Sequence, residues 1–529
     1  MINYRRLRAA PLFGLLLFTA LFVIPVIWFL LGAFSSSTSS RTISIVAVRN
    51  SVLIGIAVSL LSVVPGLALG WLSDRWVFPL RRLITPIIWL LFLFPSYLLT
   101  TGWQIVMDAP WMRDSVWAGY FNGVLGIIFL LTMKGLPFAY FTGLAVWRML
   151  GNDLFDALAT LAVPRVRASR VIITLLLPAA AATAVVVFVE TIQEFGIPAT
   201  LGAAIHLPIV TYAIYTQLTS APPDFRAAAL LSLPLVGLAV MAAAVQALIH
   251  HRRAVALKTR RSKPLARCAL PQSGRFVAAL AVCLFAIFGV LIPLAGLAYA
   301  AVGGASGTAG DIAAWSSLFN SLCYAMLGAA LALLGVFAIW PALRARGTWY
   351  GQAVDIMTLV NMAIPGVILG AAYLIAFNGG WLPLYGTPLL LVLAYGAAQV
   401  PMLLRLLQAP LSQVPRGLHE AASVHVANHE TRLLDVRLPL IADPLCWGYA
   451  LAFGAIFFEL PISELLYPPG RPPFGVAIVA FNQALDYTQA ARLGLAAMGV
   501  LFLFGAGAAG LMHLAQNHNR KYHDVPVAV

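Results

Sequence analysis

The chain of 529 residues is 61% hydrophobic and only 10% charged, with a mean hydropathy of +0.91. A water-soluble domain carries roughly 25% charged residues, so no soluble core can hide this much apolar surface, and lipid must be the solvent for most of the chain. The net charge of +15 would suit a nucleic-acid binder in a soluble protein, but the placement of the basic residues excludes that reading.

A membrane-crossing helix needs about 20 apolar residues. About twelve stretches qualify, near 12–33, 50–73, 84–101, 121–147, 171–193, 225–250, 276–302, 319–343, 352–377, 384–407, 438–459 and 491–515. The runs are continuously apolar instead of alternating, which excludes a transmembrane β-barrel. The expected fold is an all-α polytopic membrane protein of about twelve transmembrane helices. With the N-terminus in the cytoplasm, 26 of the 33 Lys and Arg fall on the cytoplasmic side, including Arg5, Arg6, Arg8, Arg75, Arg81, Arg82 and the run from Arg252 to Arg275. Only Arg41, Arg49, Arg113 and Arg471 fall clearly in outer loops. This positive-inside bias places both termini inside. The first span is too long for a signal peptide and is expected to stay as an anchor. Cys268, Cys283, Cys323 and Cys446 show no metal or disulfide spacing.

The basic stretch from His250 to Arg267, containing Pro264, reads as a linker. It divides the chain into 1–250, a linker over 251–274, and 275–529, with six spans on each side. Landmarks recur across it. Asn50-Ser51 returns as Asn320-Ser321, Leu136-Pro137-Phe138 as Val400-Pro401-Met402, and Asp156-Ala157 as Glu420-Ala421. Glu190 and Glu194 are matched to Glu459 and Glu464 in the same order. An even number of spans per half makes the repeat parallel, with the path between the halves.

The segment Glu420-Ala421-Ala422-Ser423-Val424-His425-Val426-Ala427, continuing to Val436-Arg437-Leu438-Pro439, resembles the EAA signature of binding-protein-dependent ABC permeases. Glu420 to Pro439 keeps the full spacing, with Val426 where the family has Gly. A weaker copy carries Asp156, Ala157 and Leu158, with Ala162 in the Gly position and Leu177-Pro178 three residues late. Glycine tolerates φ > 0 where Ala and Val do not readily. The resemblance extends over essentially the whole chain and is nearest to fused, two-half permeases of ferric-iron importers. The phrase Phe188-Val189-Glu190-Thr191-Ile192-Gln193-Glu194-Phe195-Gly196 is similar to that group's pattern. Related permeases carry thiamine, phosphonates or polyamines.

The resemblance implies a type I importer fold in a bacterial inner membrane. It implies coupling helices near 152–167 and 415–430 that dock on two copies of an ATP-binding subunit, and a periplasmic substrate-binding protein outside. ATP and Mg are expected on those partners and no cofactor on this chain, which has no phosphate loop of the Walker type. The residues expected to couple are Asp156, Ala157, Ala162, Glu420, Ala421, Ala422 and Val426.

A charge at mid-bilayer costs about 2.5–3.5 kcal/mol on insertion scales, so intramembrane carboxylates persist where they face a cavity or a partner. Glu190 and Glu194 share a helix face, and with Glu459 and Glu464 they are expected to ring the outer mouth of a cation path. The bland alternative is that they cap helix ends or pair with Arg226, Arg492 or Lys134. Lys134, near the middle of the fourth span, is expected to pair with a carboxylate or to snorkel. Pro137, Pro401 and Pro461 are expected to kink spans. The long outer loops 195–223 and 460–490 offer Tyr212, Tyr215, Tyr467 and Phe474 to a binding protein. Twelve spans in two parallel halves also describe a secondary transporter; the paired cytoplasmic loops with Leu-Pro argue against it. No catalytic nucleophile or zinc motif supports an enzyme.

Overall fold

The computed structural model describes residues 4–34, 45–254, 266–303, 308–344, 348–379, 382–413 and 438–523. Helix dominates these residues because in lipid every backbone polar group must find its partner within the chain. The sheet they contain is a two-residue parallel bridge between β1, Trp76–Val77, and β2, Cys268–Ala269.

In chain order the first repeat comprises α1 (Pro11–Phe34), α2 (Ile45–Arg75), α3 (Ile84–Leu93), α4 (Ser96–Met107), α5 (Val124–Leu150), α6 (Asp153–Thr160), α7 (Val166–Gln193), α8 (Val210–Thr219) and α9 (Phe225–Ala242). The second comprises α10 (Gln272–Gly303), α11 (Ala314–Leu343), α12 (Trp349–Met362), α13 (Gly366–Phe377), α14 (Pro388–Gln408), α15 (Leu438–Phe457), α16 (Pro461–Leu466), α17 (Phe474–Gln483) and α18 (Tyr487–Gly507). Among the described residues, 9 helices are long and apolar enough to cross a membrane, or 11 if each of two bent pairs forms one span. Large apolar side chains stand exposed on their outer faces, such as Leu53, Leu60 and Val64 on α2 and Phe276, Val277 and Leu284 on α10. Water would not tolerate that surface; lipid does.

The stretches 84–101 and 352–377, expected as continuous spans, are broken. α3 and α4 meet at 99°, and α12 and α13 at 109°. The breaks lie at Phe94-Pro95 and at Ala363-Ile364-Pro365. Each proline is held extended, with ψ 139 at Pro95 and ψ 144 at Pro365. A proline supplies no N–H and pushes the residue before it out of the helical region; Phe94 accordingly sits at ψ 118. By contrast Pro137 and Pro401 lie inside the continuous helices α5 and α14, and Pro461 opens α16 as its first residue.

The Asn-Ser landmarks of the repeat acquire a physical meaning. Asn50 Nδ2 donates to Pro208 O at 3.1 Å and the Val210 amide donates to Ser51 Oγ at 3.0 Å. Asn320 Nδ2 donates to Pro472 O at 3.4 Å and the Phe474 amide donates to Ser321 Oγ at 2.8 Å. In each repeat the same pair pins the start of a short inner helix, α8 or α17, to the second long span. The supposed outer loops are therefore folded inward. Phe474 is fully buried against Phe457 and Phe458 and contributes no contact surface, whereas Tyr467 is 38% exposed.

The leading helix of each repeat packs on the other repeat. Gly14 of α1 lies against Ala338 and Ile339 of α11, and Tyr373 Oη on α13 donates to Leu21 O. Gly102 of α4 lies against Pro293 and Gly296 of α10, so closely that a Cβ at Gly102 would sit 2.4 Å from Pro293 O. Small residues at such crossings let backbones approach and gain dispersion contact, the main attraction available between helices in lipid.

Candidate functional site

The two breaks face each other across a cavity of about 490 Å³. Ser96, at the start of α4, and Glu190, Gln193 and Glu194, from the end of α7, line one side. Asn361, Gly366, Gln399 and Glu459, from the second repeat, line the other. A second void of about 390 Å³, lined by Phe92, Lys134 and Phe138, adjoins it and shares Glu190, Glu194 and Ala455.

Three of the four expected carboxylates line the main cavity, and they are not alike. Glu194 is the residue after the last turn of α7; its Oε1 accepts from Ser96 Oγ at 2.6 Å and from the Gly196 amide at 2.8 Å. Glu459 caps α16: its carboxylate accepts from the Ile462 amide at 2.7 Å, the Ser463 amide at 3.0 Å and Ser463 Oγ at 2.8 Å. Both satisfy orphan N–H groups that a helix start leaves open. Glu190 is exposed to the cavity and has no hydrogen bond to any of the described residues. Glu464 does not line the cavity; it accepts from Tyr215 Oη at 3.2 Å.

These bonds correct the pairing of the repeats. Glu194 corresponds to Glu459, because each follows the last turn of its span, caps the turn beyond it and abuts the start of a broken helix at Ser96 or Gly366. Four residues earlier, Glu190 corresponds to Ala455, so this carboxylate has no counterpart at the matching position of the second repeat.

Lys134 neither pairs with a carboxylate in an ion pair nor snorkels. Its Nζ donates to Phe94 O at 2.7 Å, Phe92 O at 3.2 Å and Leu91 O at 3.4 Å. The break orphans these carbonyls: the partner four residues after Leu91 is Pro95, which has no N–H. An ammonium at the negative end of the α3 dipole satisfies them and is itself stabilised. In the second repeat the carbonyl at the break, Ala363 O, accepts instead from Gln193 Nε2 at 3.0 Å. Among the described residues no group of three or more His, Cys, Asp or Glu side chains is arranged to hold a metal ion.

At the far end of the bundle, Asp156 and Ala157 lie on α6, a helix with no buried residue. The turn into it uses Gly151 at φ 62, a conformation that favours glycine. Ala162 follows the helix at φ 47, and the Val163 amide donates back to Leu158 O at 3.1 Å. The left-handed turn for which glycine is suited is thus kept by alanine under strain. Ala162→Gly is expected to relieve roughly 1 kcal/mol of that strain and to slow amide exchange at Val163, measured by hydrogen–deuterium exchange. Glu420, Ala421, Ala422 and Val426 lie outside the described residues.

Sequence reasoning missed Ser96, Gln193, Asn361 and Gln399. The available signal was weak: uncharged amides and a hydroxyl inside apolar stretches, beside the dipeptides Phe94-Pro95 and Ile364-Pro365.

The family model described as "Binding-protein-dependent transport system inner membrane component" matches residues 334–517. The chain is 25% identical over 403 residues to a probable ABC transporter permease, y4fN, of Sinorhizobium fredii, covering 70% of this chain and 69% of that protein. It is 28% identical over 192 residues to a putative 2-aminoethylphosphonate transport system permease, PhnV, of Salmonella typhimurium, covering 36% of this chain and 72% of that one. It is 23% identical over 360 residues to the ferric transport system permease FbpB of Actinobacillus pleuropneumoniae, covering 64% and 51% respectively. A polytopic helical bundle, an internal repeat that meets at a polar cavity and these likenesses agree. Residues 334–517 resemble the inner-membrane components of binding-protein-dependent transport systems, and the chain is similar to multi-pass permeases of ABC transport systems over most of its length.

Proposed function

We propose that the protein passes ferric iron across a bacterial inner membrane through the cavity between its two repeats, residues 1–250 and 275–529. A periplasmic binding protein delivers the substrate. Two copies of a separate subunit hydrolyse ATP with Mg on the cytoplasmic side, where both termini also lie. α6 and the segment around 415–430, with Asp156, Ala157, Ala162, Glu420, Ala421, Ala422 and Val426, receive the motion of those subunits.

The observation that carries this reading is the chemistry of the cavity. Glu190 is a carboxylate without a hydrogen-bond partner among the described residues, and it is joined by Glu194 and Glu459. The nearest cation, Lys134, already serves three carbonyls. A site with this balance attracts a hard cation, for which oxygen donors are suited, and repels a phosphonate. The ferric relatives support the same substrate.

The second reading is 2-aminoethylphosphonate, favoured by the Salmonella relative. Its ammonium would suit Glu190, but its phosphonate would find no uncommitted cation among the lining residues. Vesicles holding the permease, its ATPase and the binding protein decide between them. ATP-dependent uptake of radiolabelled Fe(III) is expected; uptake of the phosphonate alone would replace the substrate. Uptake that follows a proton gradient and ignores ATP would remove the ABC mechanism. Glu420→Lys is expected to bring uptake to background while the chain still inserts.

A further inference from the structure

Asn152, the residue before α6, is a three-way junction. Its Oδ1 accepts from Arg75 Nη1 at 2.7 Å and from the Ala266 amide at 3.2 Å, and its Nδ2 donates to Asp156 Oδ1 at 2.8 Å. Arg75 Nη1 also donates to Ala266 O at 2.8 Å, and its guanidinium lies 4.6 Å above the ring of Phe155 on α6. Both backbone polar groups of Ala266 are therefore held by the two side chains that also hold α6. Two residues later the same strand bridges in parallel to β1, with Trp76 opposite Cys268 and Val77 opposite Ala269. Trp71 of α2 packs on Phe155 at 5.4 Å and on Trp147 of α5 at 4.1 Å.

The geometry points to a working role for residues 266–269. They form part of the platform that orients α6 toward the ATPase, and Asn152 is the positioning residue. The proposal rests on the reading of α6 as a coupling helix and extends it. α10, the first span of the second repeat, begins at Gln272, only a few residues past β2. A displacement of α6 is thus passed by hydrogen bonds and a backbone bridge to the second repeat, as well as along α5 and α7. A passive tether needs none of these contacts; a chain of directional bonds to one helix end is what a force-bearing connection requires. The charge-assisted bonds from Arg75 hold geometry better than neutral ones.

The test measures substrate imported per ATP hydrolysed in vesicles carrying the assembled transporter. Asn152→Ala deletes the junction; Ala266→Pro deletes only the N–H that Asn152 accepts. Each is expected to lower the ratio about fivefold or more, the size of a modest coupling between sites, with the ATPase subunit still co-purifying. An unchanged ratio in both variants overturns the proposal. Should Ala266→Pro fail to accumulate, cleavage at a protease site placed between residues 255 and 265 supplies the second measurement. Cutting upstream of β2 is expected to leave the ratio intact, whereas a loss on cutting makes the segment a tether and overturns the proposal. Failure of the underlying reading looks different: the unaltered chain then brings down no ATPase subunit at all.

Discussion

Lys134→Met is expected to destabilise the protein by about 3 kcal/mol or more, since an unsatisfied buried polar group costs roughly 1–3 kcal/mol and three carbonyls lose their donor together. Methionine keeps the length and apolar stem of lysine but offers no N–H. Lipid supplies no donor to replace it; water in the adjoining void, which Lys134 lines, is the one substitute within reach. The measurement is the unfolding midpoint in detergent, together with limited proteolysis between α3 and α4. An unchanged midpoint would show that the break is held by other contacts. Ala398, which stands in the second repeat where Lys134 stands in the first, faces no such demand, because Gln193 reaches across to Ala363.

Glu190→Gln is expected to do the opposite: uptake falls while the fold persists. With no hydrogen bond from Glu190 to the described residues, the substitution breaks no such bond, and the unfolding midpoint in detergent is expected not to fall. Its charge, however, acts on any cation in the cavity. Two unit charges 4 Å apart at an effective dielectric of 20 interact by about 4 kcal/mol, and retaining even a third of that lowers a rate by about tenfold. Initial rates of Fe(III) uptake in vesicles test this. Equal rates for Glu190→Gln and the unaltered chain would remove Glu190 from the path. Glu194→Gln and Glu459→Gln are poor substitutes for this experiment, since each also disturbs bonds to Ser96, Gly196, Ile462 or Ser463.

Much of the architecture was legible in the chain. Continuous apolar runs required a polytopic helical protein, and the Asn-Ser landmarks pointed to the repeat whose matching contacts at Asn50-Ser51 and Asn320-Ser321 the fold contains. The alanine in a glycine position at Ala162 was visible and put the turn in doubt; that the left-handed conformation is kept there was not. The pairing of carboxylates was not. Reading Glu190 with Glu459 by sequence offset put a helix-capping group opposite a free one, because a change of loop length beyond the spans shifts the register and only the hydrogen bonds restore it.

Membrane insertion is a sum over side chains, each contributing its own transfer free energy to a window of about 20 residues. Composition and order alone therefore determine that this chain enters lipid, where its helices lie and that it does so twice over. The bends at Pro95 and Pro365, the engagement of Lys134 with carbonyls forty residues upstream and the exchange of α1 and α10 between repeats are decided elsewhere. They depend on which orphaned backbone groups meet which distant donors, and on which small residues let two helices touch. Tertiary structure alone brings those partners together, and so it alone separates the carboxylates that cap helices from Glu190, which makes no hydrogen bond among the described residues.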